Sequence, residues 1–366
     1  MQEQECGTIP LTQIGNGAFY RGDCVQAMRE MLDGGLGGTF HAVVTDPPYG
    51  IGFMGRDWDS ERTVAFKSET WKLALQLLRP GGHLLAFGGS RTYHRLACAV
   101  EDAGFEVRDQ IMWLYGQGMG SKGKSLGSGW NTTLKPANEP ILMARKPFTG
   151  TVKANMAAYS CGGINVDGCR VAANGRRNIV KKIGQPNREG TVCYGNGLSP
   201  GSFANGLTNR GRWPANVIHD GTCEVLEAFD AFGIKKSGSN CVKRKSGSDA
   251  SSNTSTAFGA ESRPAGTPMV TYGDTGSASR FFYSAKASKK DRVGKHPTQK
   301  PNSLMRYLCR LVTPPGGIVM DPFSGSGTTL EAAITEGFHA VGCEITPEYW
   351  PDIERRLHRC QPDLHS

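Results

Sequence analysis

The chain has 366 residues, with 42 Lys or Arg against 33 Asp or Glu, a formal charge of +9 and a pI near 9.0. Its length suggests two or three units at ~100–200 residues per domain, and 38% hydrophobic residues permit a core, although 49 Gly and 20 Pro imply much loop. No run approaches the ~18 apolar residues of a membrane span, Met1-Gln2-Glu3-Gln4-Glu5 starts no secretory signal, and the 11 Cys form no CxxC pair, so a cytoplasmic protein without disulfide framework or structural zinc is expected.

In chain order, Ala18-Phe19-Tyr20 leads to Gly22-Asp23 and an amphipathic helix over 24–32, with Val25, Met28, Met31 and Leu32 at helical spacing. An apolar strand over 40–44 runs into Asp46-Pro47-Pro48-Tyr49. A helix over 68–78 stops at Arg79-Pro80-Gly81-Gly82, where proline and glycine break helical pairing. A buried strand follows over 83–87, then a helix over 92–103 and strands over 105–114 and 140–144. Strand and helix alternate, and the strands are continuously apolar. That pattern predicts a mostly parallel sheet covered on both faces.

From about 150 to 280 the rhythm is interrupted by a region rich in Gly, Ser and Asn, with 246–280 reading as a mobile, low-complexity loop. Residues 151–292 hold twenty Lys or Arg against ten Asp or Glu, a net of +10, and the rest of the chain nets −1. The basic pairs Arg176-Arg177, Lys181-Lys182 and Lys235-Lys236 and the triplet Lys243-Arg244-Lys245 lie here. Such a localised excess suits a nucleic-acid contact, and a solvated insertion would read the same way. Alternation then resumes with a helix over 302–312, a strand over 317–321, a helix over 328–336, a strand over 339–344 and a helix over 348–358. One doubly wound domain split by a basic insert accounts for both halves.

Two motifs carry chemistry. In Asp46-Pro47-Pro48-Tyr49 the prolines remove two N–H donors, so a carboxylate and bare carbonyls project from a strand end. These acceptors suit an amino group with two N–H donors, and Tyr49 offers a flat ring for a base; a rigid turn with a core ring is the plainer alternative. In Asp321-Pro322-Phe323-Ser324-Gly325-Ser326-Gly327, glycines admit close backbone approach before a helix N-terminus. The lysine of a Walker loop is missing, and the GxGxxG pattern is incomplete because Leu330 stands at its third glycine. Glu344 ends the next strand, where an acid can take ribose hydroxyls. The pairing points to an adenosine-containing cofactor. An NAD-linked oxidoreductase fits less well, given that incomplete fingerprint.

These motifs, with Gly22-Asp23-Cys24 and His296-Pro297-Thr298-Gln299-Lys300-Pro301, resemble the beta-class amino-group DNA methyltransferases, notably their phage-like members. Segments 139–147 and 280–283 also look like family segments. The resemblance implies a class I, Rossmann-like α/β methyltransferase with permuted motif order: a catalytic half over 1–149, a target-recognition insert over 150–280 and a cofactor half over 281–366. It implies S-adenosyl-L-methionine as cofactor and double-stranded DNA as partner, no membrane, and room for a homodimer or a cognate restriction endonuclease. By resemblance, Asp46 and Pro47, within the motif completed by Pro48, accept from the target amine, and Tyr49 stacks on the extruded base. Asp321, Phe323, Gly325 and Gly327 line the cofactor, Glu344 binds its ribose, Asp23 lies near its adenine, and Thr298 and Lys300 hold its methionine end. Aspartate at position 46 implies adenine N6 as acceptor, with cytosine N4 or a non-catalytic DNA-binding protein as alternatives. Lys243, Arg244 and Lys245 are the expected DNA contacts. Trp58 is a candidate for the base channel, and Cys24 and Cys343 are expected to be packing residues.

Overall fold

The computed structural model describes residues 8–52, 59–60, 63–116, 130–132, 134–172, 211–234, 275–286, 288, 291–294 and 296–361, and the backbone of 176–180, 203–208, 235–236, 242–243 and 268–269. By contact density the chain divides into two units. The first holds residues 1–169, 214–225 and 282–366; the second holds 170–213 and 226–281. Residues 150–169 and 214–225, assigned from the sequence to the insert, thus fall with the sheet-bearing unit. The reason is visible in the strands they feed: β9 (Val217–His219) pairs with a core strand, and Asn155 in α4 (Val152–Tyr159) donates to Pro80 O at 2.9 Å.

The first unit is built on a ten-stranded sheet. Its strands are β1 (Leu11–Ile14), β2 (Gly17–Tyr20), β3 (Phe40–Thr45), β4 (Leu78–Phe87), β5 (Glu106–Leu114), β6 (Asn138–Arg145), β9, β14 (Tyr283–Ser284), β15 (Ile318–Asp321) and β16 (His339–Cys343). The spatial order is β1-β2-β16-β15-β3-β4-β6-β5-β9-β14. Pairing is parallel from β2 through β16, β15 and β3 to β4, and antiparallel where β6 sits between β4 and β5. The centre of the sheet is therefore α/β and mostly parallel, with one reversed strand.

Both faces of the central strands are buried, as their unbroken apolar sequences require. Residues of β3 serve two different cores. Ala42 and Val44 join Leu304, Leu308, Leu311, Leu330, Ile353 and Leu357 from α6 (Asn302–Val312), α7 (Thr328–Thr335) and α8 (Trp350–Arg359). Phe40 and Val43 join Met28, Met31, Trp71, Leu77, Leu96 and Val100 from α1 (Cys24–Asp33), α2 (Ser68–Leu77) and α3 (Tyr93–Asp102). Helices on both sides of a parallel sheet make the doubly wound arrangement.

The Arg79-Pro80-Gly81-Gly82 stop ends α2 at Leu77 but does not separate it from the strand, which starts at once at Leu78. Phe40 pairs with Leu78 and Ala42 with His83, so four residues bulge opposite one. Proline is tolerated there because the bulge interrupts the ladder, and Gly81 supplies the left-handed φ of +78° that the turn requires.

The second unit, by itself, contains three antiparallel pairs: β7 (Arg176–Val180) with β8 (Phe203–Thr208), β10 (Lys235–Lys236) with β13 (Thr275–Gly276), and β11 (Val242–Lys243) with β12 (Pro268–Met269). The division between Val225 and Leu226 falls within α5 (Cys223–Asp230). Arg212 is buried and donates from Nη1 to Ala172 O at 2.7 Å and Arg280 O at 3.0 Å. Residues 246–267 lie outside the described residues. Among the described residues no helix is long and apolar enough to cross a membrane, and no cluster of His, Cys, Asp or Glu could hold a metal ion.

Burial holds the His83 imidazole neutral, down at about 4, helped by Arg145 and Arg108. An unfolded histidine titrates near ~6.5. The unfolded chain therefore takes up this proton first on acidification, and the folded state loses stability as pH falls from about 6.5 towards 4. Replacing the ring, as in His83→Gln, should remove that loss. Denaturant titrations of both proteins at pH 7 and pH 4.5 should show the wild-type stability falling relative to the variant on acidification, by on the order of 2–3 kcal/mol. The constant cost of repacking cancels from the difference between the two pH values.

Candidate active site

The two motif strands are neighbours. β15 pairs with β3 in parallel, Met320 opposite Val43 and Val319 opposite Ala42, although 277 positions separate each pair in sequence. From β3 the chain crosses through α2 to β4 on one side, and from β15 through α7 to β16 on the other. This is the switch point of the sheet, where departing loops open a crevice at the carboxyl ends of the strands. Thr45 Oγ1 donates to Asp321 Oδ1 at 2.6 Å and locks the two strand ends together. The buried Asp321 carboxyl is raised to about 6, chiefly by desolvation, against the lowering effect of its hydrogen bonds from Thr45, Thr329 and the Phe323 N–H.

The loop after β15 folds back tightly. Ser324 N donates to Cys343 O at 2.9 Å and Ser324 Oγ to Asp321 O at 3.0 Å. Gly325 and Gly327 both sit at left-handed φ, +52° and +81°. A Cβ on Gly325 would stand 3.0 Å from His296 Nε2, and one on Gly327 would stand 3.2 Å from the Ile353 backbone. Gly325 N in turn donates to Glu344 Oε2 at 2.7 Å, while Thr346 N donates to Glu344 Oε1 at 2.7 Å. Burial raises Glu344 to about 7 in spite of those two donors. Phe323 is half-buried, with its ring centroid 6.2 Å from that of Trp71. Asp23 caps α1: its Oδ1 accepts from Val25 N at 2.9 Å and Gln26 N at 3.0 Å. The expected contact of Asp23 with an adenine thus comes with a helix-capping role that the sequence reading had not given it.

At the end of β3, four side chains converge. Lys300 Nζ lies 2.7 Å from Asp46 Oδ2, 3.1 Å from Tyr49 Oη and 3.2 Å from Glu139 Oε2. The single Tyr49 hydroxyl proton has two carboxylate oxygens within reach, Asp46 Oδ1 at 2.8 Å and Glu139 Oε2 at 3.1 Å. The ammonium also lies 4.9 Å from the Phe87 ring centre and 5.4 Å from that of Tyr49. Burial alone would depress Lys300, but the Asp46 and Glu139 charges overcome it and hold the ammonium above its ordinary range. Tyr49 is pushed well above the phenol range by burial, then by the same two carboxylates. The polar partners of Lys300 shown by the structure are thus Asp46, Tyr49 and Glu139.

The backbone that presents Asp46 is held independently. Pro47 is buried, Thr92 Oγ1 donates to Tyr49 O at 2.7 Å, and buried Asp59 accepts from Gly50 N at 2.7 Å and Ile51 N at 3.3 Å. Thr298 is half-buried, and its N–H donates to His296 Nδ1 at 3.4 Å. Cys24 and Cys343 are buried thiols raised by desolvation, which suits packing rather than nucleophilic chemistry. Trp58, Arg244 and Lys245 lie outside the described residues, and Lys243 is described by its backbone alone, in β11.

Glu139 and Asp59 were missed by the sequence reading. The available signal for Glu139 was an acid opening an apolar strand, Asn138-Glu139-Pro140-Ile141-Leu142; because β6 runs antiparallel, its first residues reach the edge where the parallel strands end.

The arrangement fits an adenosine-bearing, positively charged cofactor. The loop offers Cβ-free backbone at Gly325 and Gly327, and next to it stand two buried carboxyls, Asp321 and Glu344, whose pKa values burial raises.

A family model described as DNA methylase matches residues 40–355. The DNA adenine methyltransferase YhdJ of Escherichia coli (strain K12) is 46% identical over 67 residues, which is 18% of this chain and 23% of that protein. The chain spans about a quarter of the length of the curated relatives it matches. Among solved structures, the M1.HpyAVI-SAM complex is 17% identical at a TM-score of 0.45, covering 93% of this chain and 98% of that one. The PvuII DNA methyltransferase (cytosine-N4-specific) is 14% identical at a TM-score of 0.48, covering 97% and 89%.

Proposed function

The chain belongs to the N6/N4 DNA methylase family, whose model spans most of it, and we propose that it transfers a methyl group to the exocyclic amine of an extruded base in double-stranded DNA, adenine N6 by the aspartate at position 46. The observation that carries this reading is the adjacency of the Asp46–Tyr49 and Asp321–Gly327 loops at the ends of β3 and β15. The methyl donor is S-adenosyl-L-methionine, which when bound supplies an electrophilic methyl group on a sulfonium. Gly325, Gly327, Phe323, Asp321 and Glu344 would hold it, with Asp23 near its adenine and Thr298 beside its amino-acid end.

An aromatic amine is a weak nucleophile because its lone pair is spread into the ring. Asp46 and the Pro47 carbonyl are acceptors without competing donors of their own, so they can take the two amine N–H groups and localise that lone pair on nitrogen. Positioning and electrostatics then do the rest, with no covalent enzyme intermediate required. Extrusion of the base costs roughly a few kcal/mol of unstacking, and Tyr49 supplies a ring to stack on. The basic stretch over 150–280, with Lys243, Arg244 and Lys245, is the proposed DNA contact and target reader. Nucleoside analysis of duplex DNA methylated by the protein tests the acceptor: N6-methyladenine is expected, and N4-methylcytosine in its place would overturn the adenine assignment while keeping the mechanism.

A further inference from the structure

In the resting site, both Asp46 oxygens already accept a donor. Lys300 Nζ holds Oδ2 at 2.7 Å, and Tyr49 Oη holds Oδ1 at 2.8 Å. The ammonium also neutralises the charge that a target amine would lean on. Each Asp46 oxygen keeps a second lone pair, so it is this shared charge and not a lack of acceptor sites that weakens the contact with the amine. Relieving it requires another acceptor for both donors within the same buried space. A single atom offers it to both: Glu139 Oε2 lies 3.2 Å from Lys300 Nζ and 3.1 Å from Tyr49 Oη. An ionised carboxylate oxygen has lone pairs for two donors, and an unpartnered buried ammonium would be costly.

We propose that Glu139 is a positioning residue for methyl transfer: it takes over Lys300 and Tyr49 when the target amine binds, and so releases Asp46 to accept from it. The proposal rests on the amine-methylation reading above. The step is an exchange of hydrogen bonds and needs no covalent change. Lys300 Nζ rotates from Asp46 towards Glu139, Tyr49 turns its single hydroxyl proton to Glu139, and one incoming N–H takes Asp46 while the other goes to the Pro47 carbonyl. Two acids serving one cation thus separate two tasks. One stays anionic towards the amine while the other keeps the cation neutralised. Glu139 itself is about one-fifth exposed, so replacing it should not unmake the fold.

Glu139→Gln keeps the shape and removes the charge. Its single-turnover methyl transfer to unmethylated mixed-sequence duplex DNA should slow by roughly tenfold to a hundredfold, while affinity for S-adenosyl-L-methionine, read by calorimetry without DNA, stays within about twofold of wild type. In a Lys300→Met background the same Glu139→Gln change should cost less than about threefold, since the cation to be relocated is gone. Glu139→Asp, which retains the charge, should run at least about fivefold faster than Glu139→Gln, and this comparison decides the matter if Lys300→Met has no measurable turnover. A Glu139→Gln rate equal to wild type, an equal loss in both Lys300 backgrounds, a matching loss of cofactor affinity, or equal rates for the Asp and Gln variants would each overturn the proposal. Wild-type turnover in the same series separates these results from failure of the methyl-transfer reading, which would show as no incorporation by the wild type.

Discussion

Asp46→Ala abolishes methyl transfer by about a thousandfold or more and leaves the affinity for S-adenosyl-L-methionine nearly unchanged. The expectation follows from the division of labour at the switch point. Asp46 stands on the β3 side, in contact with Tyr49 and Lys300, and is the proposed acceptor for the amine. The groups assigned to the cofactor stand on the β15 and β16 side and are held by their own bonds, Gly325 N to Glu344 and Ser324 N to Cys343 O. Removing a preorganised group aimed at the reacting centre typically costs a factor of ~100–1,000. Asp46 also helps localise the lone pair, so its loss should lie at the upper end. The fold should survive, because Lys300 keeps Glu139 as a counter-ion and Thr92 and Asp59 hold the loop backbone. Single-turnover rates and calorimetric cofactor affinity, measured on the same preparation, check both halves of the statement. Turnover within tenfold of wild type would remove Asp46 from the chemistry.

Glu344→Gln has the opposite signature. Cofactor affinity should drop by roughly a hundredfold, about two charge-assisted hydrogen bonds' worth, with little further loss in rate at saturating cofactor. Its pH dependence makes the test sharper. In the free protein, burial raises Glu344 to about 7, above the ordinary glutamate value. On the proposed ribose contact, hydroxyls would donate to the ionised form, so binding would pull that pKa down. Affinity should therefore climb with pH up to about 7 and level off above it, by at most about tenfold per pH unit on the acid side. The glutamine variant should lose this dependence. Stability of the ligand-free protein carries the reverse sign, because the raised pKa means the folded state binds the proton more tightly than the unfolded chain. Its contribution is complete below the unfolded value near ~4.3 and disappears as pH rises through about 7. A flat affinity profile in wild type would mean that Glu344 does not receive the ribose.

Much of this fold was legible because its parts are local. The strand and helix rhythm follows from continuous apolar strands such as Phe40–Thr45 alternating with amphipathic segments such as Asn302–Val312. Asp46, Asp321 and Glu344 could be read as a set since each ends a strand, and the ends of parallel strands share one edge. What escaped was information about direction and register. Glu139 opens its strand, so it joins Asp46 around Lys300 only because β6 is reversed, and reversal leaves no trace in a run of apolar residues. The Pro80-Gly81-Gly82 bulge looked like a gap between elements because its pairing partner, β3, lies almost forty residues away. Arg356 shows the same limit. Within the helix expected over 348–358 nothing singled it out, yet it is fully buried, paired with Glu331 and donating to Asp291 O at 2.7 Å and Gln299 Oε1 at 2.9 Å. Those partners come from a helix and a loop that the chain reaches through separate turns.

The most direct measurement is the transfer of labelled methyl from S-adenosyl-L-methionine to unmethylated duplex DNA by the purified wild-type protein, with Asp46→Ala beside it. The account predicts label in the base fraction, recovered as N6-methyladenine, with wild type and none with the variant. A folded wild-type protein that binds the cofactor but leaves the DNA unlabelled would contradict it.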